Sequence, residues 1–95
     1  MKMISRFGLG LLLSSSVLSA HAEDVKIGMI TTLSGGGSHL GVDVRDGFML
    51  ALEQSGRDDV EVLIQDDANR PDLARSLANE FMQRDEVDIM TGIIW

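Results

Sequence analysis

VKIGMIT, residues 25–31, leads within two residues into SGGGS, residues 34–38, and this junction decides the fold. The first stretch is apolar and rich in β-branched side chains, at the length of a buried strand. The glycine-rich stretch ends it. Beyond the glycines, Leu40, Val44, Phe48, Ala51 and Leu52 recur at i, i+4, i+8, i+11 and i+12. That spacing predicts a helix over about residues 39–54 with one apolar stripe facing a core. Ser38 stands where an N-cap belongs, and Gly56 stands just past the other end, where left-handed geometry suits glycine. A strand, a glycine turn and an amphipathic helix form the opening of a β-α-β unit.

Downstream the pattern repeats. VEVLIQ, residues 60–65, reads as a second strand, and the polar turn Asp66-Asp67-Ala68-Asn69-Arg70 follows it. Pro71 opens a second helix, where its missing N–H costs nothing. Leu73, Ala74, Leu77, Ala78, Phe81 and Met82 form adjacent pairs every four residues, again a single helical stripe. VDIMTGII, residues 87–94, reads as a third strand before Trp95. The order β-α-β-α-β implies parallel pairing through right-handed crossovers. The fold class is therefore α/β, and the chain supplies the β-α-β-α-β portion of a doubly wound parallel sheet. Such a core normally closes with further β-α units, so the sequence reads as a truncated part of a larger lobe.

Upstream, Lys2 and Arg6 precede an apolar run broken by serines, and Ala20-His21-Ala22 follows as a small-x-small site. This is the layout of a secretory signal cleaved after Ala22. The apolar run falls short of the roughly 20 residues that span a bilayer. The expected organisation is a signal peptide over residues 1–22 and a mature piece over residues 23–95, released into the periplasm without membrane insertion. Loss of Lys2 and Arg6 takes the net charge from −7 to −9, since all 15 acidic residues lie beyond the signal. An acidic surface repels nucleic acid, which is not an expected partner. There is no cysteine, so neither a disulfide framework nor lipidation at a cysteine after the signal is expected.

In parallel sheets, ligands dock outside the carboxyl ends of the strands, where strand order reverses. With the first strand central, the crevice falls between strands one and three. That favours the loop over residues 33–40 and Trp95, and leaves the Asp66-Asp67 turn to the side. The candidate ligand-binding residues are Ser34, Gly35, His39, Leu40 and Trp95. Glycines before a helix start can offer backbone N–H groups to a carboxylate, or can simply make a flexible turn. Trp95 suits ligand stacking and packing equally. Asp66 and Asp67, adjacent at a strand end, point to opposite faces, which favours turn capping over shared acid–base or metal chemistry. His39 has no second histidine or cysteine near it in the mature chain, so metal binding is not expected. Met29, Met49, Met82 and Met90 read as core. No nucleophile–base pair stands out, and no cofactor is expected.

Taken together, IGMITTLSGGGSHLGVDVRDGFMLALE, VEVLIQDDANRPDLARSLANEFM and VDIMTGIIW resemble the leucine/isoleucine/valine-binding protein family, type I periplasmic solute receptors of ATP-driven importers. The shared features are Ser34, Gly35 and Gly41 between strand and helix, Gly47 within the helix, Asp66, Asp67 and Pro71 in the turn, and Val87 to Gly92 in the last strand. The resemblance implies a two-lobed receptor that traps a small solute by hinge closure and docks on a membrane permease. It implies no enzymatic activity. It further implies that the loop over residues 34–40 lines the cleft, that Leu40 occupies a position where an aromatic residue often meets the ligand side chain, and that Trp95 sits just before a carboxylate-gripping loop. The family commonly has SGP where this chain has Ser34-Gly35-Gly36. The ectodomain of a periplasmic sensor would share this fold.

Two other classes compete. Gly35-x-Gly37-x-x-x-Gly41 after a strand, with acids ending the second strand, would suit a Rossmann oxidoreductase using NAD or NADP. The export signal and the long gap between strand and loop oppose it. A phosphoacceptor receiver domain would need carboxylates at the ends of strands one and three, where this sequence has none.

Overall fold

The computed structural model describes residues 24–94; the expected signal peptide and Trp95 lie outside them. The elements are β1 (Val25–Thr31), α1 (Ser38–Ser55), β2 (Val60–Asp66), α2 (Pro71–Gln83) and β3 (Ile89–Thr91). The sheet order is β2-β1-β3, and both pairings are parallel. β1 aligns with β2 over its whole length, from Val25 beside Val60 to Thr31 beside Asp66. It meets β3 only at Ile27, Gly28 and Met29. The first crossover leads from β1 to one neighbour and the second passes back over to the other. With right-handed connections, α1 and α2 therefore lie on opposite faces.

The face under α2 holds the core. Ile30, Leu77 and Phe81 are buried there, with Leu63, Leu73, Ala74, Ala78 and Val87 packed around them. Gly28 makes this possible: a Cβ at that position would come within 2.7 Å of the Phe81 ring. The predicted α2 stripe thus faces inward, except for Met82, which is exposed.

On the other face, α1 approaches by backbone rather than by a stripe of large side chains. Gly41 is its one buried residue. A Cβ there would lie 1.6 Å from the Thr32 carbonyl oxygen, and the Thr31 hydroxyl donates to the Gly41 carbonyl at 3.2 Å. This turns the helix so that Leu40, Val44 and Ala51 are exposed, while Phe48 and Leu52 are half-buried. The expected stripe is therefore covered only in part.

Two elements, α1 and β3, also have ends that differ from expectation. Gly37, at φ 81, is the N-cap of α1, with no side-chain cap hydrogen bond, so Ser38 begins the helix instead of capping it. Gly56, at φ 73, closes it as expected, its N–H bonding to the Glu53 carbonyl. β3 occupies three residues of the expected eight. On its early side, Glu86 turns to φ 54 and the Val87 N–H bonds back to the Phe81 carbonyl, so the chain is still leaving α2. On its late side, Gly92 at φ 113 leaves the extended conformation, and a Cβ there would strike the Ile30 carbonyl oxygen at 2.4 Å.

Candidate functional site

All three strands point the same way, so the segments after β1, β2 and β3 gather at one edge of the sheet. The loop after β1 owes its shape to Gly35 and Gly37, both left-handed at φ 78 and φ 81. This conformation suits glycine and few other residues. Gly36 between them stands in open space. α1 starts from this loop with no acidic residue in its first turn. The positive end of its backbone dipole therefore faces the strand ends without a carboxylate of its own. Ser34, Gly35, His39 and Leu40 are all exposed on this edge.

The turn after β2 was expected to stand aside. Instead, it clamps the loop after β1. The Asp66 carboxylate receives the Leu33 N–H at 2.8 Å on Oδ1 and the Ser34 hydroxyl at 2.5 Å on Oδ2. Its Oδ1 also caps its own turn by accepting the Ala68 N–H at 2.7 Å. These donors, the Ser34 hydroxyl foremost and then the Leu33 amide, hold the Asp66 carboxyl below its ordinary range. Asp67, nearly fully buried, receives the Thr32 hydroxyl at 2.7 Å and the Asn69 N–H at 2.8 Å on Oδ1. The neighbouring aspartates diverge, as two successive residues at a strand end must, yet both reach the same three-residue segment of the first loop. Ala68 and Asn69 adopt left-handed φ values of 49 and 59, which let the turn reverse tightly enough for the Arg70 N–H to reach the Asp67 carbonyl. Sequence reasoning read Asp66 and Asp67 as turn caps, and they are. Their reach across to β1 was missed, because it follows from the β1–β2 register that sets Thr31 beside Asp66.

Beyond β3, an apolar depression of about 360 Å³ is lined by Ile30, Ala78, Met90, Thr91, Gly92 and Ile93. A small hollow of about 70 Å³ beside it is lined by Asp67, Asn69, Arg70, Pro71, Ala74 and Ile93. Ile93 is common to both, so the post-β2 turn and the end of β3 border one surface. A larger depression, about 460 Å³, lies far from these loops, along the last turns of α1 by Asp46, Leu50, Glu53 and Arg57. Among the described residues, no three His, Cys, Asp or Glu side chains are grouped to hold a metal ion. No helix among them is long and apolar enough to cross a membrane.

Comparison with known proteins agrees with this architecture. No curated protein matches the chain. An ABC transporter substrate-binding protein from Sphaerobacter thermophilus superposes with a TM-score of 0.69 at 33% identity, over 72% of this chain and 19% of that one. A solute-binding protein of an ABC transporter from Rhodopseudomonas palustris BisB5, solved in complex with 3,4-dihydroxybenzoic acid, gives a TM-score of 0.68 at 28% identity, over 70% of this chain and 20% of that one. The chain thus spans about a fifth of the length of either structure. The family model described as periplasmic binding protein matches residues 24–95, nearly everything beyond the predicted signal, and by that match the chain belongs to the periplasmic binding protein family.

Proposed function

We propose that this chain supplies the opening part of the first lobe of a receptor that captures a small solute in the periplasm and hands it to an ABC permease. The observation that carries the reading is the site of the loop over residues 34–40. It lies at the carboxyl edge of β1, beside the point where the sheet order reverses between β1 and β3. That is where parallel sheets bind ligands. The fold alone would not license a function; the family supplies the chemistry to look for. Ser34, Gly35, His39 and Leu40 are the proposed contacts on this lobe, with Trp95 beyond the end of β3.

The proposed solute is a small carboxylate, either a branched-chain or other amino acid, as in the leucine/isoleucine/valine-binding proteins, or an aromatic acid such as the one bound by the Rhodopseudomonas relative. The α1 N-terminus, free of acidic residues in its first turn, is electrostatically suited to such a group. Capture is by binding alone, with closure of a second lobe completing the enclosure. Residues 1–22 act as the export signal and residues 23–95 as the lobe segment.

The test is an NMR titration of the ¹⁵N-labelled chain with leucine, 3,4-dihydroxybenzoate and NAD. Shift changes confined to residues 34–40 with either carboxylate, and none with NAD, support the reading. NAD-induced shifts in that loop with neither carboxylate acting would overturn it in favour of a dinucleotide enzyme.

A further inference from the structure

The Asp66–Ser34 contact carries a consequence for what the site can recognise. A serine hydroxyl has one proton to give and two lone pairs to offer, whereas a carboxylate only accepts. Ser34 gives its proton to Asp66 Oδ2 at 2.5 Å. The carboxylate cannot trade this role away. Its other oxygen, Oδ1, is held by two backbone donors, Leu33 N–H at 2.8 Å and Ala68 N–H at 2.7 Å. Both are backbone N–H groups, which only donate, so the plane of the carboxylate is fixed and Oδ2 is turned toward Ser34. Ser34 itself is exposed on the edge of the sheet. The neighbouring ionisable group, Asp67, is turned to the Thr32 hydroxyl and the Asn69 amide and does not share this contact.

We propose that Asp66 is a positioning residue that sets the hydrogen-bonding sense of the first loop, so that Ser34 Oγ meets a solute only as an acceptor and selects an N–H or O–H donor on it. This rests on the receptor reading for its biological meaning, but the sense of the contact can be measured without any solute. The ligand class it adds is a solute bearing a donor group, an ammonium or a hydroxyl, at the point where it touches Ser34.

The replacement Asp66→Asn makes the inference sharp. An asparagine in the same place must keep its carbonyl oxygen at the Oδ1 position, because Leu33 and Ala68 both donate there. Its amide nitrogen then stands at the Oδ2 position and donates to Ser34 Oγ. Ser34 becomes the acceptor in that bond and its own proton turns outward. One near-isosteric change thus inverts the loop from acceptor to donor while leaving both backbone contacts in place.

The experiment is NMR on the full chain in four forms: wild type, Ser34→Ala, Ser34→Thr and Asp66→Asn. In the wild type, the Leu33 and Ala68 amide shifts follow the Asp66 carboxyl titration. Ser34→Ala moves that titration to higher pH, and Ser34→Thr, which keeps the hydroxyl, moves it back. A role confined to bracing the backbone would leave the titration indifferent to Ser34, and an unchanged midpoint in Ser34→Ala therefore sinks the proposal. In the second arm, ammonium chloride and sodium acetate are the probes. Ser34 signals of the wild type respond to ammonium and not to acetate, and those of Asp66→Asn show the reverse. A wild-type response to acetate alone overturns the assigned sense. If neither probe acts while the titration shifts as described, the positioning role stands and the receptor reading of this loop is the part that fails.

Discussion

At the scale of single residues, the glycines divide into those the fold requires and those it does not. Gly41 is required: its Cα–H side rests on the Thr32 backbone, and a methyl group would lie 1.6 Å from a carbonyl oxygen that belongs to the chain and has no rotamer to yield. Gly41→Ala is expected to cost about 3 kcal/mol, the upper end of ordinary overpacking, because α1 as a whole must lift off the sheet. Gly36 is the contrast. It has open space around it and no left-handed φ. Gly36→Ala removes freedom from the unfolded chain and should stabilise by about 0.4–1 kcal/mol. Urea melts of the two variants beside the parent should therefore move in opposite directions; equal shifts would show that the close approach of Gly41 to Thr32 does not set the cost. Neither assignment is visible in the string SGGGS or in the helix pattern. Which glycine is indispensable depends on how close α1 comes to Thr32, a tertiary fact. Ser34 was singled out from sequence, but its partner was not, because Asp66 lies thirty-two residues away and is brought to it only by the strand register.

At the scale of elements, legibility followed the depth of burial. α2 carries its apolar residues in pairs, packs them on Gly28 and Ile30, and was readable almost to the residue. α1 was found with the right ends within a residue or so, yet its stripe is covered only in part: Gly41 seats the helix on the sheet, Phe48 and Leu52 are half-buried, and Leu40, Val44 and Ala51 are exposed. β3 was overextended because Val87, Ile93 and Ile94 look like strand residues, whereas Glu86 and Gly92 bend the backbone on either side. The linkage between the β1 loop and the β2 turn makes a pH prediction. The folded Asp66 carboxyl lies below its ordinary 3.8, chiefly through the Ser34 hydroxyl and then the Leu33 amide. A depressed folded value means that stabilisation is complete above the unfolded value and drains away as pH falls through the folded one. The stability gap between the parent and Asp66→Ala should thus be constant near neutrality and narrow below about pH 4. Denaturant melts at stepped pH will show this, and a gap that widens on acidification would mean that Asp66 is protonated in the folded chain.

At the scale of the whole molecule, the balance between covered and uncovered apolar surface sets the last expectation. Among the described residues, Met29, Ile30, Leu77 and Phe81 are the buried hydrophobic side chains, while Leu40, Val44, Met49, Leu50, Met82, Ile89, Met90 and Ile93 are exposed large ones. Those on α1 lie along one helix, and Ile89, Met90 and Ile93 lie on and just beyond β3, whose one pairing is to β1. The two surfaces are on different parts of the molecule, so neither can cover the other. A domain of this size buries only ~60% of its unfolded surface even when its apolar faces are well covered, and stability is a small difference between large terms. The surface ion pairs, such as exposed Arg84 with exposed Glu80 and half-buried Asp85, are screened by water and do not replace a core. As a separate polypeptide, residues 24–95 should therefore retain helix and strand signals but unfold over a broad temperature range and bind a hydrophobic dye before heating. Calorimetry on the monomer decides it. A sharp transition carrying the roughly 0.7 kcal/mol per residue of ordinary globular domains would show that the sheet with two helices is self-sufficient. A shallow one would show that the exposed faces of α1 and β3 are surfaces the fold needs covered.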